Sequence, residues 1–435
     1  MMEFGQYRTL EFSAPADFRN VQESLLREHA AYALEHSPFY RRVLRAAGVD
    51  PRALTLDGLA ALPFTDKSHL EEQNDDFLAV PPNRIVDIVL SSGTTGKPTR
   101  VMYTRRDLDR LAYNERLSFE GCGVTADDVA LLTCTLDRCF VAGLAYFLGL
   151  QSLGAACIRN GHGTMESHLD IIARLKPTMI VGVPSFLRKL GQYLEANGVK
   201  ASATGVRKLV CIGEPLRDRG LALLPLGRDL EAIWNARAYS TYASSEIVTT
   251  FCECTAQCGG HLHPDLAIVE IVDENGRAVP DGDVGEVVVT PFAVEGMPLI
   301  RFKTGDMSFL AGGACACGRF SPRLGPIVGR KKQMLKVRGT TLYPQAVFAA
   351  LDEIPGVKEY YVEVESEDDL SDRLTVHVAL DEAVATAARV GDKLQSRLRV
   401  KPVIVVEAGE TLRSLVHTPK LRKPVRFVDR RKSRS

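Results

Sequence analysis

Short apolar runs recur through the middle of the chain at a spacing that admits few architectures. "IVDIVL" (85–90), "VALLTC" (129–134), "TMIVGV" (178–183) and "KLVCIG" (208–213) have strand length, and helical stretches separate them. Strands joined by helices are covered on both faces, so the pattern predicts an α/β layered sheet. Ahead of it, Phe18 to Ala47 reads as one helical segment that "HSPFYRRVLRAAG" closes at Gly48. From Leu266 to Phe309 the texture changes to strands and turns, with "DENG" and "PDGD" between them, predicting a β-rich subdomain. After Arg330, "YPQAVFAALDEI" and "VATAARVGDKLQSRLR" read as helices, while "YYVEVES", "LTVHVAL" and "PVIVVE" read as strands. That order predicts a small α+β, ferredoxin-like domain. The expected division is a large multi-layered N-terminal domain, 1–331, and a small mobile C-terminal domain, 332–435.

Composition narrows the function classes. A formal net charge of zero gives no global field toward nucleic acid or an anionic membrane. The start, "MMEFGQYRTLEF", lacks the basic-then-apolar pattern of a signal peptide, and no apolar run reaches the roughly 20 residues a membrane span needs. A cytosolic protein is expected, so its ten cysteines are not a disulfide framework.

"VLSSGTTGKPTR" (89–100) is the first stretch with chemistry. Two residues separate Gly93 from Gly96, so the nucleotide triphosphate loop, which needs four, does not fit. Gly93 and Gly96 still let backbone N–H groups converge, Ser92, Thr94 and Thr95 add hydroxyls beside Ser91, and Lys97 adds charge. A polyphosphate suits that donor set; a polar surface turn is the alternative.

"YSTYASSE", "LIRFKTGD", "GRKKQMLKVRG" and "LRKPVRFVDRR" follow in order. With the first stretch they resemble the adenylate-forming superfamily of acyl-CoA synthetases, adenylation domains and luciferases. "SPFYRRVLRAAGVDPRALTLDGLAALPFTDKSHL" and "CACGRFSPRLGPIVGRKKQMLKVRGTTLYP" look like the N-terminal signature and domain junction of the phenylacetate–CoA ligase family. The resemblance implies an AMP-forming acid–thiol ligase using ATP, Mg²⁺ and coenzyme A. Residues 92–97 would hold the β- and γ-phosphates. Gly213, Glu214, Pro215, Tyr242 and Ala243 would lie about the adenine, with Ser245 beside Glu246. Glu246 would hold Mg²⁺, and Asp306 and Arg330 would bind the ribose. Phe302 stands where the family often has tyrosine. Lys332 resembles the pivot between domains, and Gly339 would let a pantetheine arm pass. Lys423 takes the catalytic lysine position, with Lys420 as its competitor.

The thiols cluster. "CECTAQCGGHLH" offers Cys254, Cys258 and His261, and "CACG" offers Cys315 and Cys317, the ligand types zinc takes. The resemblance favours Cys254, His261, Cys315 and Cys317 as a structural zinc site; Cys258 in place of His261 would give an all-thiolate set. Cys122, Cys134, Cys139, Cys157 and Cys211 read as ordinary buried residues. By resemblance, "RCFVAGLAYF" and "VGVPSF" wall an acyl pocket through Phe140, Gly143 and Pro184, suiting an aromatic or otherwise apolar carboxylate. A non-CoA acceptor, as in cofactor adenylylation, and a non-catalytic nucleotide-binding zinc protein are the other readings. Expected partners are small molecules, with no nucleic acid or membrane, and a homodimer is left open.

Overall fold

The helical stretch near the N-terminus breaks in two, at a proline. α1 (Pro15–His36) ends and α2 (Pro38–Ala46) begins around Ser37, whose hydroxyl accepts from Tyr40 N at 3.4 Å. Pro38 has no N–H and favours the first helical turn, so one helix becomes two. The protein is described here from a computed structural model covering residues 3–91, 99–337, 340–366, 371–417 and 424–431. Its contacts resolve two units, Met1–Ala222 with Asp229–Pro326, and Leu223–Arg228 with Ile327–Ser435.

In the first unit, β1 (Thr65–Asp66) leads into α3 (Lys67–Glu72), capped by the Asp66 carboxylate. β2 (Ile85–Ser91) and β3 (Thr99–Thr104) form an antiparallel hairpin in which Ser91 pairs with Thr99. The first apolar run is therefore not a strand of the large sheet, and its alternate residues Val86, Ile88 and Leu90 are exposed. α4 (Arg105–Gly121) starts with a reciprocal cap between Thr104 and Asp107.

The α/β sheet then builds as expected. β4 (Val129–Leu132), α5 (Val141–Leu153), β5 (Ala156–Arg159), α6 (Met165–Leu175), β6 (Met179–Gly182), α7 (Pro184–Ala196), β7 (Lys208–Ile212), α8 (Pro225–Trp234), β8 (Arg237–Ser244) and β9 (Thr249–Cys252) follow in sequence. Spatially the order is β5-β4-β6-β7-β8-β9, parallel except at the antiparallel β8–β9 edge. All four residues of β6 are buried, as a central strand covered on both faces requires.

Short strands follow: β10 (Gly260–His261), β11 (Ala267–Val272), β12 (Gly285–Pro291), β13 (Phe302–Ser308), β14 (Leu310–Ala311) and β15 (Arg323–Leu324). β11, β12 and β13 are antiparallel neighbours, and β13 pairs in parallel with β1. β10, β15 and β14 make a second small sheet.

The second unit holds β16 (Gly329–Arg330), β17 (Leu335–Val337), β18 (Thr340–Leu342), α9 (Pro344–Asp352), β19 (Val357–Ser366), β20 (Asp372–Leu380), α10 (Ala387–Leu398), β21 (Val403–Val406), α11 (Gly409–Val416) and β22 (Phe427–Asp429). Its sheet runs β21-β20-β19-β22. Val347 and Leu351 of α9 and Val390 and Leu394 of α10 bury the core with Val362, Val364, Val376 and Val378. α11 was not anticipated. Among the described residues, no helix is long and apolar enough to cross a membrane.

Candidate active site

β8 ends in a cluster of side chains that the sequence singles out. Tyr242 is half-buried and its hydroxyl donates to Asp306 Oδ2 at 2.9 Å. Burial, with the Asp306 charge behind it, keeps that phenol protonated well past its ordinary range. The ring lies near-parallel to Phe251, with centroids 6.4 Å apart. Asp306 stands on β13, where its N–H donates to Thr304 Oγ1 at 3.1 Å. Two residues 64 apart in sequence thus meet across two different sheets.

Glu246 follows in the turn after β8 and is buried. Its Oε1 lies 3.0 Å from Lys67 Nζ, and Ser244 Oγ donates to Oε2. Burial works to raise the pKa; the Lys67 ammonium and the Ser244 hydroxyl outweigh it and hold the carboxyl below its ordinary value. Lys67, the first residue of α3, is the functional neighbour that sequence reasoning missed. Its "TDKSHL" setting reads as a helix start and gives no sign of a distant acid.

Ala243, Ser244 and Ser245 also line a cleft enclosing about 420 Å³, part of it open to solvent. Phe140, Tyr103, Val141, Ala145, Tyr146 and Val248 supply its apolar walls, with Thr249, Thr250 and Glu115 among the polar ones. Phe140 is in this lining. Gly143 and Pro184 are not in this lining. Gly143 instead seats α5: a Cβ there would lie 2.0 Å from the Thr135 carbonyl oxygen. Gly149, two turns on, does the same against α4, where a Cβ would come within 2.3 Å of Glu115 Cβ. Pro184 opens α7, whose Ser185 donates to Glu214 through N–H at 2.8 Å and Oγ at 2.9 Å. Gly213 precedes that glutamate at φ +75°, in the loop leaving β7 before Pro215.

The thiol cluster assembles from two segments. The ligand atoms of Cys254, His261, Cys315 and Cys317 all lie within 4.8 Å of one another. Cys254 and Cys315 sulfurs are 3.6 Å apart, and Cys317 Sγ is 3.4 Å from His261 Nε2. Zinc held about 2.3 Å from sulfur and about 2.0 Å from nitrogen in a tetrahedron needs edges of roughly 3.5–3.8 Å, so the donor set fits. His261 Nδ1 meets Ser321 Oγ at 3.0 Å, which leaves Nε2 toward the thiols. Burial pushes the imidazole down to about 3, keeping it neutral. Cys258 falls outside the four: its sulfur is 3.5 Å from Cys315 Sγ but 2.9 Å from the Arg323 guanidinium. Of the five cysteines expected to be buried, Cys122, Cys134 and Cys211 are, while Cys157 is half-buried and Cys139 is exposed.

Ser92, Gly93, Thr94, Thr95, Gly96, Lys97, Gly339, Lys420 and Lys423 lie outside the described residues. In the second unit, Arg330 and Lys332 are exposed. Val425 N donates to Val416 O at 2.8 Å. Arg431 holds the carbonyls of Met334 at 2.7 Å and Lys332 at 3.2 Å.

Residues 31–294 match the AMP-binding enzyme family and residues 339–431 match the AMP-binding enzyme C-terminal domain. A phenylacetate-coenzyme A ligase of Thermus thermophilus is 33% identical over 370 residues, covering 84% of this chain and 82% of the relative. One from Escherichia coli is 29% identical over 427 residues, covering 93% and 94%. A solved 2-hydroxyisobutyryl-CoA ligase, in the postadenylation state in complex with R3-HIB-AMP, shares the fold at a TM-score of 0.85 and 23% identity, covering 99% of this chain and 94% of that one. The chain belongs to the AMP-binding enzyme family, as an AMP-forming acid–thiol ligase of the phenylacetate–CoA ligase kind.

Proposed function

We propose that this chain activates an aromatic or arylacetic carboxylic acid with ATP and passes the acyl group to coenzyme A. In the first step a carboxylate oxygen bonds to the α-phosphorus and pyrophosphate leaves. In the second the thiol sulfur bonds to the acyl carbon, the bond to AMP breaks, and the thiol proton goes to solvent. One observation carries the reading. The end of β8 presents Tyr242, bonded to Asp306, beside buried Glu246, while Ala243 to Ser245 open onto an apolar cleft. Nucleotide and acid would therefore meet at one strand end, which holds the reacting atoms close and aligned.

Tyr242, Ala243 and Gly213 to Pro215 would bound the adenine, and Asp306 would accept from the ribose hydroxyls with Arg330 near them. Residues 92–97 would neutralise the phosphates, and Lys423 would bring its point charge to the carboxylate and α-phosphate. Glu246, buried yet ionised, fits Mg²⁺, which takes one or two protein carboxylates and completes its shell with phosphate and water. When bound, that ion neutralises phosphate charge. Lys332 would be the pivot that absorbs the dihedral change between the two steps, and Gly339 would border the thiol channel. Cys254, His261, Cys315 and Cys317 would hold a structural zinc, closed to substrate. Aromatic walls at Phe140, Tyr103 and Tyr146, and the phenylacetate-coenzyme A ligase relatives, support an aryl acid.

Pyrophosphate exchange across a panel of carboxylic acids, followed by AMP release with and without coenzyme A, tests this. An aryl acid should drive exchange, and AMP release should need the thiol. Lys423→Ala should lose exchange while still binding ATP. Full exchange in that variant moves the role to Lys420 or removes it. Exchange with no acid at all ends the proposal.

A further inference from the structure

Glu115 is a buried acid that the proposed reaction does not use. It sits on α4, 2% exposed, yet it lines the cleft beside Ala243 to Ser245. Thr250 Oγ1 donates to its Oε1, and no described residue hydrogen-bonds its Oε2. Neighbouring Asn114 anchors the same site, donating to Thr250 O at 3.0 Å and accepting from Thr250 N at 2.7 Å. Thr250 pairs with Ala243 across β8–β9, so Glu115 stands one strand from the segment that carries Glu246. A buried polar atom without a partner is costly, and Oε2, shielded from water on a side chain that lines the cleft, is the group a small shift of that lining would offer to a ligand.

Resting on the reading above, we propose that Glu115 is a specificity-determining residue whose Oε2 hydrogen-bonds an oxygen on the acid substrate, making the preferred acid an oxygen-substituted aryl acid. Burial pushes this carboxyl up to about 8, so near neutral pH it is protonated. Oε1 then accepts from Thr250 and Oε2 carries the proton, a donor that a phenol, ether or keto oxygen completes. Phenylacetate without a substituent leaves that donor unmet; a methyl of similar size does so too.

The probes are phenylacetate and its ring-hydroxylated and ring-methylated derivatives, assayed by pyrophosphate exchange. For wild type, kcat/KM for the best hydroxylated acid should exceed that of the matching methylated acid by at least about tenfold, the size of one buried hydrogen bond. Glu115→Gln keeps a donor and should keep the preference. Glu115→Leu should reverse it, raising kcat/KM for the methylated acid. Equal use of hydroxylated and methylated acids by wild type overturns the inference without any variant. So does an unchanged preference in Glu115→Leu that melts like wild type. Exchange with no acid overturns the functional reading itself, a different outcome from exchange without discrimination.

Discussion

Glu115, which lines the cleft, and Glu246, the residue after Ser245 of that lining, are both buried glutamates, and they are driven in opposite directions. Glu246 has a cation 3.0 Å away and a hydroxyl donor, and stays ionised. Glu115 has one hydroxyl and no cation partner among the described residues, and burial wins. The comparison teaches that burial sets only the cost of a charge; the neighbouring cation decides whether the charge survives. Divergent acids of this kind mark distinct tasks in one site.

Their pH windows are opposite too. Glu246 has a depressed pKa, so its contribution to stability is present at neutral pH and is lost in acid, as pH falls through its folded value. Glu115 rises from 4.5 to about 8, so between those values the folded state holds a proton that the unfolded state has released. Stability therefore falls as pH climbs through that window. Tyr146 of α5, itself kept neutral by burial, is a titratable neighbour of Glu115.

Four tests would break or sharpen the contrast. At a fixed neutral pH, Lys67→Met should act most strongly, costing about 3 kcal/mol in denaturant unfolding because it strands a buried carboxylate. That is the lower end of the usual range, since Lys67 keeps 26% of its side chain in water. Glu246→Gln should fold normally yet slow adenylate formation about 100-fold, or about 2.7 kcal/mol in barrier, as loss of a charge-stabilising group does. Near-normal exchange would make the residue structural. Glu115→Gln should flatten the stability profile from pH 5 to 8, where wild type should lose up to about 1.4 kcal/mol per pH unit; parallel profiles would show that Glu115 titrates normally. Ser244→Ala should cost about 1 kcal/mol, one hydrogen bond to a carboxylate, and raise the pKa of Glu246 in carboxyl-selective NMR titration.

The repeated strand–helix alternation made the parallel sheet legible, because a strand covered on both faces leaves an apolar run in the sequence. The hairpin β2–β3 was not legible as one, since "IVDIVL" has the same residues as a buried strand and only the absence of covering helices exposes half of it. Tyr242, Asp306 and Glu246 were legible because motif order names them. Lys67 and Glu115 were not, since each acquires its meaning from a partner more than 130 residues away: Glu246 for one, Thr250 for the other. The Cys/His cluster was legible in part from spacing and in full by resemblance. Spacing left Cys258 and His261 as alternatives, the resemblance favoured His261, and the fold brings His261 to the other three while Cys258 turns toward Arg323.

Two glycines outside the cleft fix its width. α5 contributes Phe140 at its cap and Val141, Ala145 and Tyr146 along its length, and it rests on Gly143 at one end and Gly149 at the other. Neither position has room for even one methyl: the nearest atoms are the Thr135 carbonyl and the Cβ of Glu115. A bulkier residue at either would lift or tilt the whole aromatic wall, and at Gly149 it would shove the carboxyl as well. On the proposed reading of the cleft as the acid pocket, the range of acids would be governed from behind the wall, by residues that no substrate would meet.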